Sequence, residues 1–190
     1  MMETNNTKKN SLKMLIADLC ICVVAIIFDQ LTKVRIRATL PVSSSFDVIP
    51  GVLEILHHEN SGASWGMMKG QTTFFVIIGV IVAVGLIIFV PRIPAEKKYL
   101  PLNIASAFIM AGDLGNTIDR IDKKTVTDFI YVSCINFPIF NVADIYIVVA
   151  TLGLAALILF VYKEEDLRFI EFRKKEPDTD PEKQDKSEED

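Results

Sequence analysis

The chain has 190 residues, room for one domain of ordinary size, and 51% of them are apolar. The net charge of −4 comes mostly from an acidic tail running from Glu176 to Asp190, so no basic surface supports nucleic-acid binding. Cys20, Cys22 and Cys134 make neither a disulfide framework nor a CxxC zinc pattern, and the body that remains without the tail reads as a membrane protein.

A bilayer core about 30 Å thick needs roughly 20 mostly apolar residues in a helix, and four stretches qualify as spans. The first covers residues 12–28 behind Lys8, Lys9 and Lys13, with Asp18 near its start. It has the length of a signal peptide, but no A-x-A site follows it and three more apolar runs come later, so a retained span is expected. Residues 29–73 then form a long polar segment. In it Phe46-Asp47-Val48-Ile49 and Val52-Leu53-Glu54-Ile55-Leu56, parted by Pro50-Gly51, predict a small β element. His57 and His58 next to Glu59 do not suit one metal ion, because neighbours on an extended strand point to opposite faces; both are expected at the surface or the membrane interface. Trp65 has the character of an interfacial anchor.

The second span, residues 74–90, is uncharged and closed by Pro91-Arg92. The third, residues 99–118, is the least hydrophobic, with Asp113 inside it and Gly115-Asn116-Thr117 near its end. The fourth begins near Asn136, where Pro138 suits a helix start, carries Asn141 and Asp144 in its first turns and is uncharged over residues 145–162. Lys8, Lys9, Lys13, Arg92, Lys97, Lys98, Lys163 and Arg168 all flank the same side, which is therefore expected to be cytoplasmic, together with both termini. The expected fold is an all-α membrane protein of four transmembrane helices with a small extracytoplasmic β element. Residues 1–165 form the membrane domain, and residues 166–190 a charged cytoplasmic tail, disordered toward its end.

Ionisable groups at membrane depth are costly enough to invite a functional reading. Asp29, Asn116, Asp119, Arg120, Asp128, Asn141 and Asp144 all fall at the outer face in this topology. Two carboxylates placed close together do not both ionise cheaply, so one keeps a proton and the pair becomes an acid and a base able to activate water. Asp119, Asp128 and Asp144 are the candidates, and spacing alone lets either Asp119 or Asp128 approach Asp144. The same acids could instead pair with Arg120, Lys123 or Lys124, or cap helices. A GxGD-type protease fails at Met110, where glycine is needed, and a transporter relay lacks an inverted repeat.

Five blocks resemble bacterial lipoprotein signal peptidase, or signal peptidase II, in order and spacing. They are Asp29-Gln30-Leu31-Thr32-Lys33, Asn60-Ser61-Gly62-Ala63, Gly115-Asn116-Thr117-Ile118-Asp119-Arg120, Val126-Thr127-Asp128-Phe129 and Phe140-Asn141-Val142-Ala143-Asp144. The resemblance implies a membrane aspartic endopeptidase that removes the signal peptide from diacylglyceryl-modified prolipoproteins, cutting before the lipidated cysteine. It implies contact with membrane lipid, no metal or organic cofactor, and inhibition by globomycin, and a monomer is expected. Its catalytic pair falls on Asp128 and Asp144. Asp119, next to Arg120, would brace the site, Asn116, Arg120 and Asn141 would position substrate or the acids, and Asn60 and Gly62 would line the substrate site. Asp29 and Lys33 share a helix face at i and i+4 if the helix continues, as structural support. The chain departs from the family pattern at Ser64-Trp65 and at Asp113, which is expected to face the bundle interior and pair with a polar neighbour.

Overall fold

The computed structural model describes residues 2–62, 68 and 70–170, with side chains from Ser11 onward. Trp65, Ala63, Ser64 and the acidic tail lie outside the described residues. The molecule is mostly helical. Four long helices, α1 (Met2–Thr39), α2 (Thr72–Phe89), α3 (Leu100–Lys123) and α4 (Val142–Phe160), accompany strands β1 (Ser45–Ile49), β2 (Leu53–Asn60) and β3 (Val126–Val132).

The spans 11–39, 72–92 and 142–160 are long and apolar enough to cross a membrane, and large side chains such as Leu19, Val24, Ile81, Ile87, Leu152 and Leu159 stand exposed on them. Exposure of this kind is costly in water and suits a lipid surround. The third expected span behaves differently. Helix α3 packs against α1, α2 and α4 and buries Asn103, Ser106, Asn116, Thr117 and Asp119 along with its alanines. It carries polar side chains on the faces that protein, not lipid, covers. Small residues let the neighbours approach: a Cβ on Gly112 would sit 2.5 Å from the carbonyl oxygen of Ala143, and one on Gly115 would sit 2.6 Å from a carboxylate oxygen of Asp29.

Three boundaries differ from the sequence reading. Helix α1 runs well past Asp29 to Thr39, because Asp29, Lys33 and Arg37 recur at helical spacing and face protein partners. Pro138 does not open α4. It lies in the segment before the helix, where Phe140 pairs with Ile130 of β3, and the helix starts one residue after Asn141. The polar segment after α3 contains a third strand, β3, which the sequence reading treated as loop. Its run of Val126-Thr127-Asp128-Phe129-Ile130-Tyr131-Val132 is rich in the β-branched and aromatic residues that strands favour.

The sheet is antiparallel in the order β1-β2-β3. Its register sets His58 opposite Asp128, Glu59 opposite Thr127 and Asn60 opposite Val126. At the other end of the bundle, Ile93, Tyr99, Leu102 and Tyr162 form an aromatic core, against which Leu167 and Phe169 of the 3-10 segment Glu164–Ile170 pack.

Candidate active site

Five predicted residues, Asn60, Asn116, Asp128, Asn141 and Asp144, meet through side-chain contacts at the junction of the sheet with α3 and α4. Asn141 is the hub. It caps α4 in a reciprocal capping box: its side-chain oxygen accepts from the Asp144 amide at 3.1 Å, and its own amide donates to Asp144 Oδ2 at 3.0 Å. Its Nδ2 then donates to Asp128 Oδ1 at 2.7 Å and to Asn116 Oδ1 at 3.1 Å. One asparagine therefore ties both carboxylates together, Asp128 from β3 and Asp144 from the first turn of α4.

The remaining carboxylate oxygens are also hydrogen-bonded. Asn60 Nδ2 donates to Asp128 Oδ2 at 2.9 Å, while Asn60 Oδ1 accepts from the Gly62 amide at 2.9 Å. Asn116 Nδ2 donates to Asp144 Oδ1 at 2.8 Å. The orientation of Asn116 is set from behind, where Lys33 Nζ donates to its Oδ1 at 3.0 Å. Lys33 is fully buried with Asp29 at 2.9 Å and Asp119 at 3.3 Å, so its three donors meet three acceptors. Because the ammonium has no acceptor, it holds the amide with oxygen inward and NH2 toward Asp144.

Asp29, Lys33 and Asp119 form a second layer outside the cavity. Asp29 Oδ1 accepts from the Ala143 amide at 3.0 Å, which fixes the start of α4. Asp119 meets Lys33, Arg37 at 3.7 Å and Lys123 at 3.2 Å. Its bracing partners are these cations rather than the adjacent Arg120, since successive helix residues point about 100° apart. Arg120 instead lines the cavity, with its guanidinium 4.9 Å from the centroid of the Phe75 ring.

Sequence reasoning missed Arg37, Thr127 and the sheet's polar face, although the i, i+4, i+8 spacing of Asp29, Lys33 and Arg37 was a usable signal. Arg37 donates to Thr127 Oγ1 at 2.8 Å, and Thr127 donates to Glu59 Oε1 at 3.1 Å. His57 is buried, not at the surface, between the Leu40 carbonyl at 2.7 Å and Glu59 at 2.8 Å, while His58 is exposed on the other face. Burial alone would push the Glu59 carboxyl up, but hydrogen bonds from Thr125, His57 and Thr127 outweigh it and leave the pKa below the ordinary value. Asp113 faces α2 at Gly79, inside the bundle as expected, with the Arg120 charge as a polar neighbour, while its Oδ2 is buried without a hydrogen-bond partner.

The two acids of the pair differ in surroundings. Asp128 is buried and Asp144 half-buried. Burial first, and then the neighbouring Asp144 charge, push the Asp128 carboxyl up to about 7, against the amides of Asn60 and Asn141 and the Lys33 charge. Both acids open on a cavity of about 560 Å³ that Asn60, Asn116 and Arg120 also line, the rest of its wall being apolar side chains including Phe75, Phe137, Phe140 and Val148. The raised carboxyl of Asp128 can hold a proton near neutral pH at the edge of this cavity. Among the described residues no group of His, Cys, Asp and Glu has the arrangement of a metal site.

Apolar helices beside a cavity that carries two linked carboxylates describe a membrane protein with a buried polar site. The comparisons narrow that class. The family model for signal peptidase (SPase) II matches residues 21–161. The lipoprotein signal peptidases of Staphylococcus aureus strains JH9 and Newman are each 40% identical over 147 residues, which covers 76% of this chain and 86% of theirs. A bacterial membrane enzyme solved by the in meso method at 2.3 Å superposes with a TM-score of 0.70 at 33% identity, covering 84% of this chain and 94% of that one. A second, at 1.9 Å, gives 0.69 at 36% identity, covering 77% and 94%. The chain belongs to the signal peptidase II family and is a bacterial membrane protease.

Proposed function

We propose that this chain is an aspartic endopeptidase of the bacterial cytoplasmic membrane that cuts diacylglyceryl-modified prolipoproteins just before the lipidated cysteine. The observation that carries the reading is the pair Asp128 and Asp144, bridged by Asn141 at the floor of the cavity. All four long helices cross the membrane, α3 within the ring of the others, with both termini cytoplasmic and the sheet and acid pair at the outer face. Residues 1–165 make the membrane peptidase, the 3-10 segment Glu164–Ile170 closes its cytoplasmic end through Leu167 and Phe169, and the charged cytoplasmic tail follows. One chain supplies both acids, so the enzyme works as a monomer, and globomycin blocks it by occupying the acid pair.

In this mechanism Asp128 holds the shared proton, because it is the more buried acid, and Asp144 serves as the base. Asp144 takes a proton from water as the oxygen attacks the scissile carbonyl, and the Asp128 hydroxyl gives its proton to the carbonyl oxygen. Collapse of the tetrahedral diol returns a hydroxyl proton to Asp128, while Asp144 passes its proton to the departing nitrogen. Asn60, Asn116 and Asn141 keep both carboxylates aimed at the cavity, and Arg120 offers a cation to substrate carbonyls. A signal peptide is itself an apolar helix, and the substrate's lipid anchor keeps the scissile bond at the interface, so confinement to the membrane supplies proximity.

The test is a gel-shift cleavage assay on purified diacylglyceryl-modified prolipoprotein, with each enzyme checked for monodisperse elution in detergent. Asp128→Asn and Asp144→Asn are expected to be folded and inactive, and Asp119→Asn to keep measurable turnover. Normal cleavage by either of the first two refutes the assignment.

A further inference from the structure

A second cavity, a groove of about 790 Å³, runs along the seam between α3 and α4 and is lined almost wholly by apolar side chains. Its inner end lies at Leu100 and Val161, and its outer end at Ile145. Ile145 and Val149 line this groove and the acid-pair cavity alike, so the two adjoin along α4. From Ile145 to Val161 is sixteen steps along α4, about 24 Å at the helical rise, close to the thickness of a bilayer core. Ala105, Ala150, Gly153 and Ala156 form much of its floor, and a Cβ built on Gly153 meets nothing within 4 Å. Small residues over this length let another helix lie against the backbone, as they do at helix contacts within membranes.

We infer that the α3–α4 groove is the docking track for the apolar helix of the substrate's signal peptide, delivering its cleavage end to Asp128 and Asp144. The inference deepens the proposed function and rests on it. A substrate helix running outward from the cytoplasm lies parallel to α3 and antiparallel to α4, and it ends where α4 begins, at Asp144. Its length and polarity match the groove, and no charged side chain lines the groove to oppose an apolar partner.

Filling the groove tests this. Gly153→Leu projects a side chain into open space, and Ala156→Leu serves as a second variant should the first not fold. Each is assayed on the full diacylglyceryl-modified prolipoprotein and on a diacylglyceryl-modified lipobox peptide without the apolar helix. The ratio of kcat/KM for the long substrate over the short one is expected to fall by at least about tenfold, the scale of a few misfitted apolar contacts. An unchanged ratio in folded variants means that membrane lipid alone occupies the groove and overturns the inference. So does a wild-type enzyme that cleaves both substrates equally well. A wild-type enzyme that cleaves neither overturns the peptidase reading and the track with it.

Discussion

The two ends of the helical bundle are held together by different physics. At the acid-pair end, Asp29, Lys33, Asn116, Asp119 and Asn141 are all buried and joined by hydrogen bonds and ion pairs, and each polar atom there depends on a particular partner. At the other end, Tyr99 stacks on Tyr162 with centroids 5.6 Å apart and meets Phe169 edge-on, while Phe89 leans on Phe169 at 6.0 Å. Polar contacts at that end, such as Tyr162 Oη donating to the Lys98 carbonyl at 3.0 Å, trim a core that apolar packing already defines. Losing one partner from the first end leaves an orphaned charge, whereas losing one from the second leaves most of the packing in place.

The sharpest way to break this contrast is at the acids. Asp144→Asn and Asp128→Asn keep shape and remove the acid, and turnover is expected to fall by about 10²–10⁴-fold or more, the range for positioned acid–base groups, as read by the gel shift. Next comes the ion layer. Lys33→Met leaves Asp29 and Asp119 facing each other without their shared cation and is expected to cost about 3–5 kcal/mol, measured by thermal unfolding in detergent.

A pH series sharpens the comparison further. In the proposed mechanism Asp128 works in its protonated form, and its carboxyl sits at about 7, so turnover is expected to decline as pH rises through that value and the proton is lost. Lys33 favours the charged form of Asp128, so in whatever Lys33→Met remains folded the alkaline decline moves to higher pH. A Lys33 that only stabilised the fold would lower the yield and leave the profile in place. The smallest effect belongs to the aromatic end. Tyr162→Phe keeps the stack, loses one hydrogen bond and is expected to cost about 0.5–1.5 kcal/mol with turnover unchanged.

Much of this was legible in the sequence. Uncharged runs mark α2 and α4, Pro50-Gly51 marks the β1–β2 turn, and the family blocks mark the site. What could not be read is instructive. The modest hydrophobicity of α3 records its packing against three other helices, which no local pattern reveals, since the faces turned to those neighbours need no lipid-compatible side chains. Strand β3 carries Asp128, but its alternation is masked because residues 126–129 are all buried, so no polar face shows in the pattern. His57 was misplaced because its burial depends on Leu40 and Glu59, contacts that only the folded chain creates. Arg120 next to Asp119 looked like a pair, and helical geometry sends the two to different sides of α3.

The bridging role of Asn141 also bears on how the protein responds to occupancy. Asp128 belongs to the sheet and Asp144 to α4, so any small molecule gripped by both carboxylates acts as a rivet between two elements that are far apart along the chain. Such a molecule should raise the melting temperature in proportion to the logarithm of its concentration above its Kd. It should also slow hydrogen exchange in β3 and the first turn of α4 while leaving the amides around Tyr99 and Tyr162 exchanging as before, so that inhibitors could be ranked by exchange at one end of the molecule with the other as internal reference.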